Sequence, residues 1–152
     1  MIIVVCIGIV TAIFLGDLWI KNHIEKTIVN FREEKKLGKF LLIRKHHNKG
    51  MVLNFGEKKR PIVATLSAVL VLLVLVIFIL SFGRYGNNLL RVGLAMLLGG
   101  GFSNTYDRLK RKYVVDYVSF DVKWKRLRKV IFNCSDFCIM IGALLIALGL
   151  WR

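Results

Sequence analysis

The chain has 152 residues, of which 24 are Lys or Arg and 9 Asp or Glu, for a formal charge of +15; 56% are hydrophobic and the mean hydropathy is +0.59. Length points to a single domain, and the collection of apolar residues into long blocks excludes an ordinary soluble core, so the basic excess points to anionic lipid headgroups rather than to nucleic acid. Three cysteines, Cys6, Cys134 and Cys138, exclude a disulfide-stapled secreted domain.

Residues 2–20 are apolar apart from Thr11 and Asp17, and nineteen residues come close to the roughly 20 needed to span hydrocarbon. No Lys or Arg precedes the run and no A-x-A-like site follows it, so it reads as a transmembrane helix rather than a cleaved signal peptide. In the polar stretch 21–60, Phe40-Leu-Leu-Ile43 and Met51-Val-Leu53 flank His46-His-Asn-Lys-Gly50 in the manner of a β-hairpin. Residues 62–82 form the plainest span, with Pro61 where a helix tolerates it. After a short turn at 83–88, residues 89–102 form a third span, near whose start Arg91 can snorkel toward headgroups. Gly99-Gly-Gly101 lacks the following Gly-Lys-Ser/Thr of a phosphate loop and reads as close helix packing. A second polar stretch, 104–130, leads to a fourth span at 131–151. The expectation is an all-α polytopic membrane protein, one membrane domain over 1–152, with four transmembrane helices and a small extramembrane β element.

One crossing per span places 21–60 and 104–130 on one face of the membrane. Asp17, Lys21, Asn48, Asn104, Asp107, Arg108, Asp116, Asn133 and Asp136 gather there, while the other face offers little beyond Arg84 and Arg91. Ionisable groups at the edge of a span are costly and point to function. Asp136 lies five residues into the last span with Asn133 one turn earlier; the plainer reading is an acid favoured by a helix N-terminus. Asp116 sits in the apolar Val114-Val-Asp-Tyr-Val118. Two such carboxylates on one face suggest an aspartic-protease arrangement, though spacing leaves open whether they meet. Asn104, Asp107 and Arg108 either close the top of span three or form a solvated cap, and Asp17 with Lys21 reads as an ion pair. The cysteines and His23, His46 and His47 lack compact zinc spacing, and Ser103 and Ser135 have no base beside them in the chain. Tyr117, Phe120 and Trp124, interleaved with Lys123, Lys125, Arg126, Arg128 and Lys129, read as an interfacial anchor.

Taken in order, these residues resemble the lipoprotein signal peptidases (signal peptidase II), four-span intramembrane aspartyl proteases. Asp17-Leu-Trp-Ile-Lys21 resembles the family's Asp-x-x-x-Lys, and Asn48-Lys-Gly50 its Asn-x-Gly turn. Gly99-Gly-Gly-Phe-Ser-Asn104 with Asp107-Arg108 is similar to Gly-Gly-Ala-x-Gly-Asn-x-x-Asp-Arg. Val114-Val-Asp-Tyr-Val-Ser-Phe120 is similar to Val-Val-Asp-Phe, and Phe132-Asn-Cys-Ser-Asp136 to Phe-Asn-x-Ala-Asp. The resemblance implies a catalytic pair, Asp116 and Asp136, supported by Asp17, Lys21, Asn48, Gly50, Asn104, Asp107, Arg108 and Asn133. It also implies cleavage before the diacylglyceryl-modified cysteine of a bacterial prolipoprotein, with no metal or organic cofactor.

The chain departs from that pattern at Gly101 (Ala usual), Ser103 (Gly), Lys112 (Gly), Ser135 (Ala) and Met51-Val-Leu-Asn54 (Ala-Ala-Phe after the turn). These departures leave room for a divergent member with altered substrate preference or weak activity. Stretch 21–60 holds twelve Lys and Arg against four acids, and 104–130 nine against three, which by the positive-inside rule places the active face in the cytoplasm. The resemblance implies the extracytoplasmic face of the bacterial cell membrane, and a specific motif match outweighs a statistical rule. The competing reading is a non-catalytic relative binding anionic lipid or a membrane partner through its basic face; retention of Asp116 and Asp136 with their Asn neighbours speaks against it.

Overall fold

The computed structural model describes residues 1–28, 35–50, 59–83 and 87–151. Four long helices carry a three-stranded sheet at one end: α1 (Ile2–Thr27), β1 (Lys35–Leu37), β2 (Leu41–Asn48), α2 (Arg60–Ser81), α3 (Asn88–Lys110), β3 (Val114–Phe120), the single-turn α4 (Lys125–Arg128) and α5 (Cys134–Trp151). Among the described residues α1, α2 and α5 are long and apolar enough to cross a membrane, and they leave broad apolar surfaces exposed, as lipid-facing helices do. The polar second half of α3 keeps it from that class, and packing explains its place instead. It is the central helix, set against α1, α2 and α5, with Leu94, Ala95 and Leu98 in a core shared with Cys6 of α1 and Phe78 of α2. The close approach of α3 to α5 depends on Gly93 and Gly142. A Cβ on either would come within 2.8 Å or less of the other's carbonyl oxygen, so the glycine-rich sequence serves packing, as its pattern suggests.

Several elements differ from the sequence expectation. Helix α1 runs to Thr27, seven residues beyond the apolar run, because Asp17, Lys21 and Ile24 form a buried stripe at helical spacing. Helix α3 likewise continues past Phe102 to Lys110, its polar residues finding partners inside the protein. His46, His47 and Asn48 lie in strand β2, paired with Asp116, Val115 and Val114, rather than in a turn. The hairpin forms one step earlier, β1 to β2, where Gly38 supplies a left-handed φ of 73°. The expected partner segment 51–53 and Arg84 lie outside the described residues. Helix α5 begins at Cys134: Phe132 is drawn into an extended bridge with Val118, its N–H and carbonyl both bonded there at 2.7 Å. Asp136 is therefore the third residue of its helix, at the N-terminus and not within an apolar interior.

At the end of the bundle away from the sheet, Arg91 is buried rather than snorkelling outward. Its Nε and Nη2 donate to the Ser81 carbonyl at 3.3 and 3.2 Å, satisfying an orphan acceptor at the end of α2, and Nη1 donates to Asn88 Oδ1 at 3.0 Å. Asn87 caps α3 through Leu90 N–H and holds the Gly149 carbonyl of α5 at 2.8 Å.

Candidate active site

Three backbone features bring the polar residues together. The register of β2 on β3 sets His46 opposite Asp116, with Asn48 two residues further along β2. The bridge from Phe132 to Val118 delivers Asn133 to the same place. Asn133 and Asp136 then start α5 as a reciprocal capping box, Asn133 Oδ1 accepting from Asp136 N–H at 2.9 Å and Asp136 Oδ2 from Asn133 N–H at 3.0 Å.

From that start a continuous set of hydrogen bonds links the two carboxylates. Asn133 Nδ2 donates to Asp116 Oδ1 at 2.8 Å and to Asn104 Oδ1 at 3.2 Å, and Asn104 Nδ2 donates to Asp136 Oδ1 at 2.9 Å. Asn48 Nδ2 donates to Asp116 Oδ2 at 3.1 Å, while its Oδ1 accepts from Gly50 N–H, closing a small turn. Arg108 Nη2 donates to the Gly50 carbonyl at 3.2 Å and so ties that turn to α3. Burial, and next the charge of Asp136, push the Asp116 carboxyl up to about 7 against the pull of its Asn133 and Asn48 hydrogen bonds. Near neutral pH the pair therefore carries a proton that two solvated carboxylates would have lost.

Behind this pair lies a cluster with no exposure to solvent. Lys21 Nζ lies 2.7 Å from Asp17 and 3.2 Å from Asp107, and donates to Ser103 Oγ at 3.0 Å and Asn104 Oδ1 at 2.9 Å. Asp107 also pairs with Arg111 at 3.0 Å and accepts Val115 N–H, anchoring the start of β3 to α3. Asp17 accepts the hydroxyls of Ser103, Ser135 and Tyr117. Tyr117 thus belongs to the interior rather than to an interfacial anchor, and burial and the charge of Asp17 push its phenol up, keeping it a donor. Phe120 packs edge-on against Phe132 and Phe137, and of that aromatic group Trp124 alone is exposed.

Each site residue expected from sequence thus enters one connected network, the ion pair Asp17–Lys21 included. Ser103 and Ser135, which read in sequence as departures from the family pattern, and Tyr117, which reads as an anchor, join this network through Asp17, more than eighty residues away in the chain. A cavity of about 240 Å³ opens beside Asn48, Asn104, Arg108, Asp116 and Asp136. A second space of about 330 Å³, between α2 and the α3–α5 pair, reaches Asn104, Arg108 and Asp136 along a wall of Leu70, Val71, Val74 and Leu97. The buried Asp116 and the half-buried Asp136 thus both line the first cavity, and Asp136 also lines the apolar crevice. Among the described residues no group of three or more His, Cys, Asp or Glu side chains could hold a metal ion.

The sequence model described as Signal peptidase (SPase) II matches residues 9–152. The chain belongs to the signal peptidase II family. The lipoprotein signal peptidase of Mesorhizobium japonicum is 32% identical over 143 residues, covering 91% of this chain and 79% of that one. That of Pseudomonas fluorescens is 29% identical over 137 residues, covering 87% and 78%. A bacterial membrane enzyme solved by the in meso method superposes with a TM-score of 0.78 at 23% identity, covering 97% of this chain and 87% of that one, and shows the same fold. Signal peptidase II proteins are peptidases, and the apolar helices of this member make it a membrane protein.

Proposed function

We propose that this chain is a membrane-embedded aspartic endopeptidase that removes the signal peptide from diacylglyceryl-modified bacterial prolipoproteins, cutting before the lipidated cysteine. Asp116 and Asp136 form the catalytic pair; Asp17, Lys21, Asn48, Gly50, Asn104, Asp107, Arg108 and Asn133 support it. The observation that carries this reading is the buried Asp116 and half-buried Asp136, joined through Asn133 and Asn104, both lining one cavity, with Asp136 also lining the second. Acyl chains stay beside the apolar helices while the scissile bond enters the cavity at the two carboxylates. The ionised carboxylate takes a proton from water, the water oxygen attacks the carbonyl carbon, and the protonated partner hydrogen-bonds the carbonyl oxygen; the leaving amine then receives a proton as the C–N bond breaks.

The protein sits in the bacterial cell membrane with the sheet on the extracytoplasmic face, and its basic loops rest on anionic headgroups. Incubation of the purified chain with a diacylglyceryl-modified prolipoprotein releases the signal peptide on this reading. Binding without release would favour a non-catalytic relative. Impermeant thiol labelling at positions 36 and 123, in a background without native cysteines, reports the same side; opposite sides would overturn the proposed topology.

A further inference from the structure

Asp17 is held by more donors than an ion pair needs. Its Oδ2 faces Lys21 Nζ at 2.7 Å, Ser103 Oγ at 2.6 Å and Ser135 Oγ at 2.5 Å, and its Oδ1 takes the Tyr117 hydroxyl at 2.9 Å. Ser103 Oγ already accepts from Lys21, so its own proton is committed to Asp17. Ser103 and Ser135 are fully buried and line neither cavity at the carboxylates. Each serine directly precedes a residue of the network around the carboxylates. Ser103 is followed by Asn104 and Ser135 by Asp136, and those two meet at 2.9 Å. One carboxylate oxygen on α1 thus ties down α3 and α5 a single residue from the contact between them. These are also two of the positions where the chain departs from the family pattern, Ser for Gly and Ser for Ala, and both departures aim a hydroxyl at the same oxygen.

We infer that Ser103 and Ser135 are positioning residues of the peptidase site, acting through Asp17 and Lys21 to hold the Asn104 amide toward Asp136. Lys21 is the link. Its donation to Asn104 Oδ1 at 2.9 Å, with Asn133 Nδ2 donating to the same oxygen at 3.2 Å, turns the amide NH₂ toward the Asp136 carboxylate; a reversed amide would set oxygen against oxygen. The serine hydroxyls fix Asp17, Asp17 fixes the ammonium, and the ammonium fixes the amide. This role rests on the reading of Asp116 and Asp136 as the catalytic pair.

The test uses the full chain in detergent, with Ser103→Ala and Ser135→Ala made singly and together, so that each removes a hydroxyl and little volume. Each single variant is expected to lose roughly 3- to 30-fold in kcat, less than the ~100-fold that a 1 Å misplacement can cost. KM should stay within about twofold, because neither side chain lines a cavity at the carboxylates. The double variant should lose less than the product of the single losses, because both hydroxyls act at one oxygen. Independently of turnover, the ¹⁵N-detected ammonium protons of Lys21 should exchange with water faster in each variant. Wild-type kcat in both single variants, a loss carried by KM, multiplicative losses, or unchanged ammonium exchange would each overturn the positioning role. A wild-type chain that cleaves nothing would instead remove the peptidase reading, and ammonium exchange would then decide whether the serines hold Lys21.

Discussion

Both ends of the helix bundle bury a cation, and the two are used differently. At the far end Arg91 donates to the Ser81 carbonyl and the Asn88 amide oxygen, and lies against the Phe82 ring at 5.3 Å. There it closes the end of α2. At the sheet end Lys21 meets two carboxylates, and the bonding continues outward through Asn104 and Asn133 to a second pair of carboxylates beside a cavity. A buried charge alone therefore does not mark a functional site. The mark is a polar network whose last members face open space.

The hardest test of this contrast is to remove the outward-facing members. Asp116→Asn and Asp136→Asn are each expected to reduce cleavage by about 10³-fold or more, with folded protein still recovered from membranes, as read by single-turnover cleavage of a lipidated precursor. Near-normal turnover in either variant would break the contrast outright. Next come the cations themselves. Lys21→Met leaves Asp17 buried without a cation, Asp107 keeping Arg111, and should destabilise the fold by about 3–5 kcal/mol, whereas Arg91→Met frees the Ser81 carbonyl and the Asn88 amide and should cost about 1–3 kcal/mol. Thermal unfolding in detergent gives the order, and cleavage by the Arg91 variant should persist at temperatures where it remains folded.

The response to pH sharpens the comparison further. Asp116 is raised from an ordinary 3.8 to about 7, so between those values the folded chain binds a proton that the unfolded chain has released. This contribution to stability is fully present below pH 3.8, declines as pH rises toward 7, and is gone above it. Asp116→Asn should flatten that slope in a Tm-against-pH series. Cleavage should show an alkaline limb near pH 7, where the shared proton is lost. The smallest effect belongs to a turn. Lys112 sits at a φ of 69°, where the family pattern has Gly, and Lys112→Gly should stabilise by about 1 kcal/mol with kcat unchanged. A loss of stability would show that the bond from Lys112 Nζ to the Leu109 carbonyl outweighs backbone strain.

What could be read from the sequence divides along the same line. The long helices were legible because apolar runs of that length have few alternatives. The motif residues were legible because carboxylates, amides and a lysine at the edges of such runs are expensive. Arg91 was misjudged because snorkelling and burial look alike in sequence; the deciding fact is the Ser81 carbonyl ten residues away. His46, His47 and Asn48 read as a turn in sequence because the edge they pair with, Val114 to Asp116, lies about seventy residues on. Ser103 and Ser135 stood out only as departures from a pattern, and their shared partner required the fold.

The capping box at Asn133 and Asp136 has a consequence for biogenesis. Helix α5 is the last described element to be synthesised, and it brings Asp136, together with the amide that holds Asp116. Until it docks against α3, a nascent chain already threaded through the membrane holds a single carboxylate at an unfinished chamber. With Asp116 and Asp136 as the proposed catalytic pair, proteolysis would start only after this helix has taken its place.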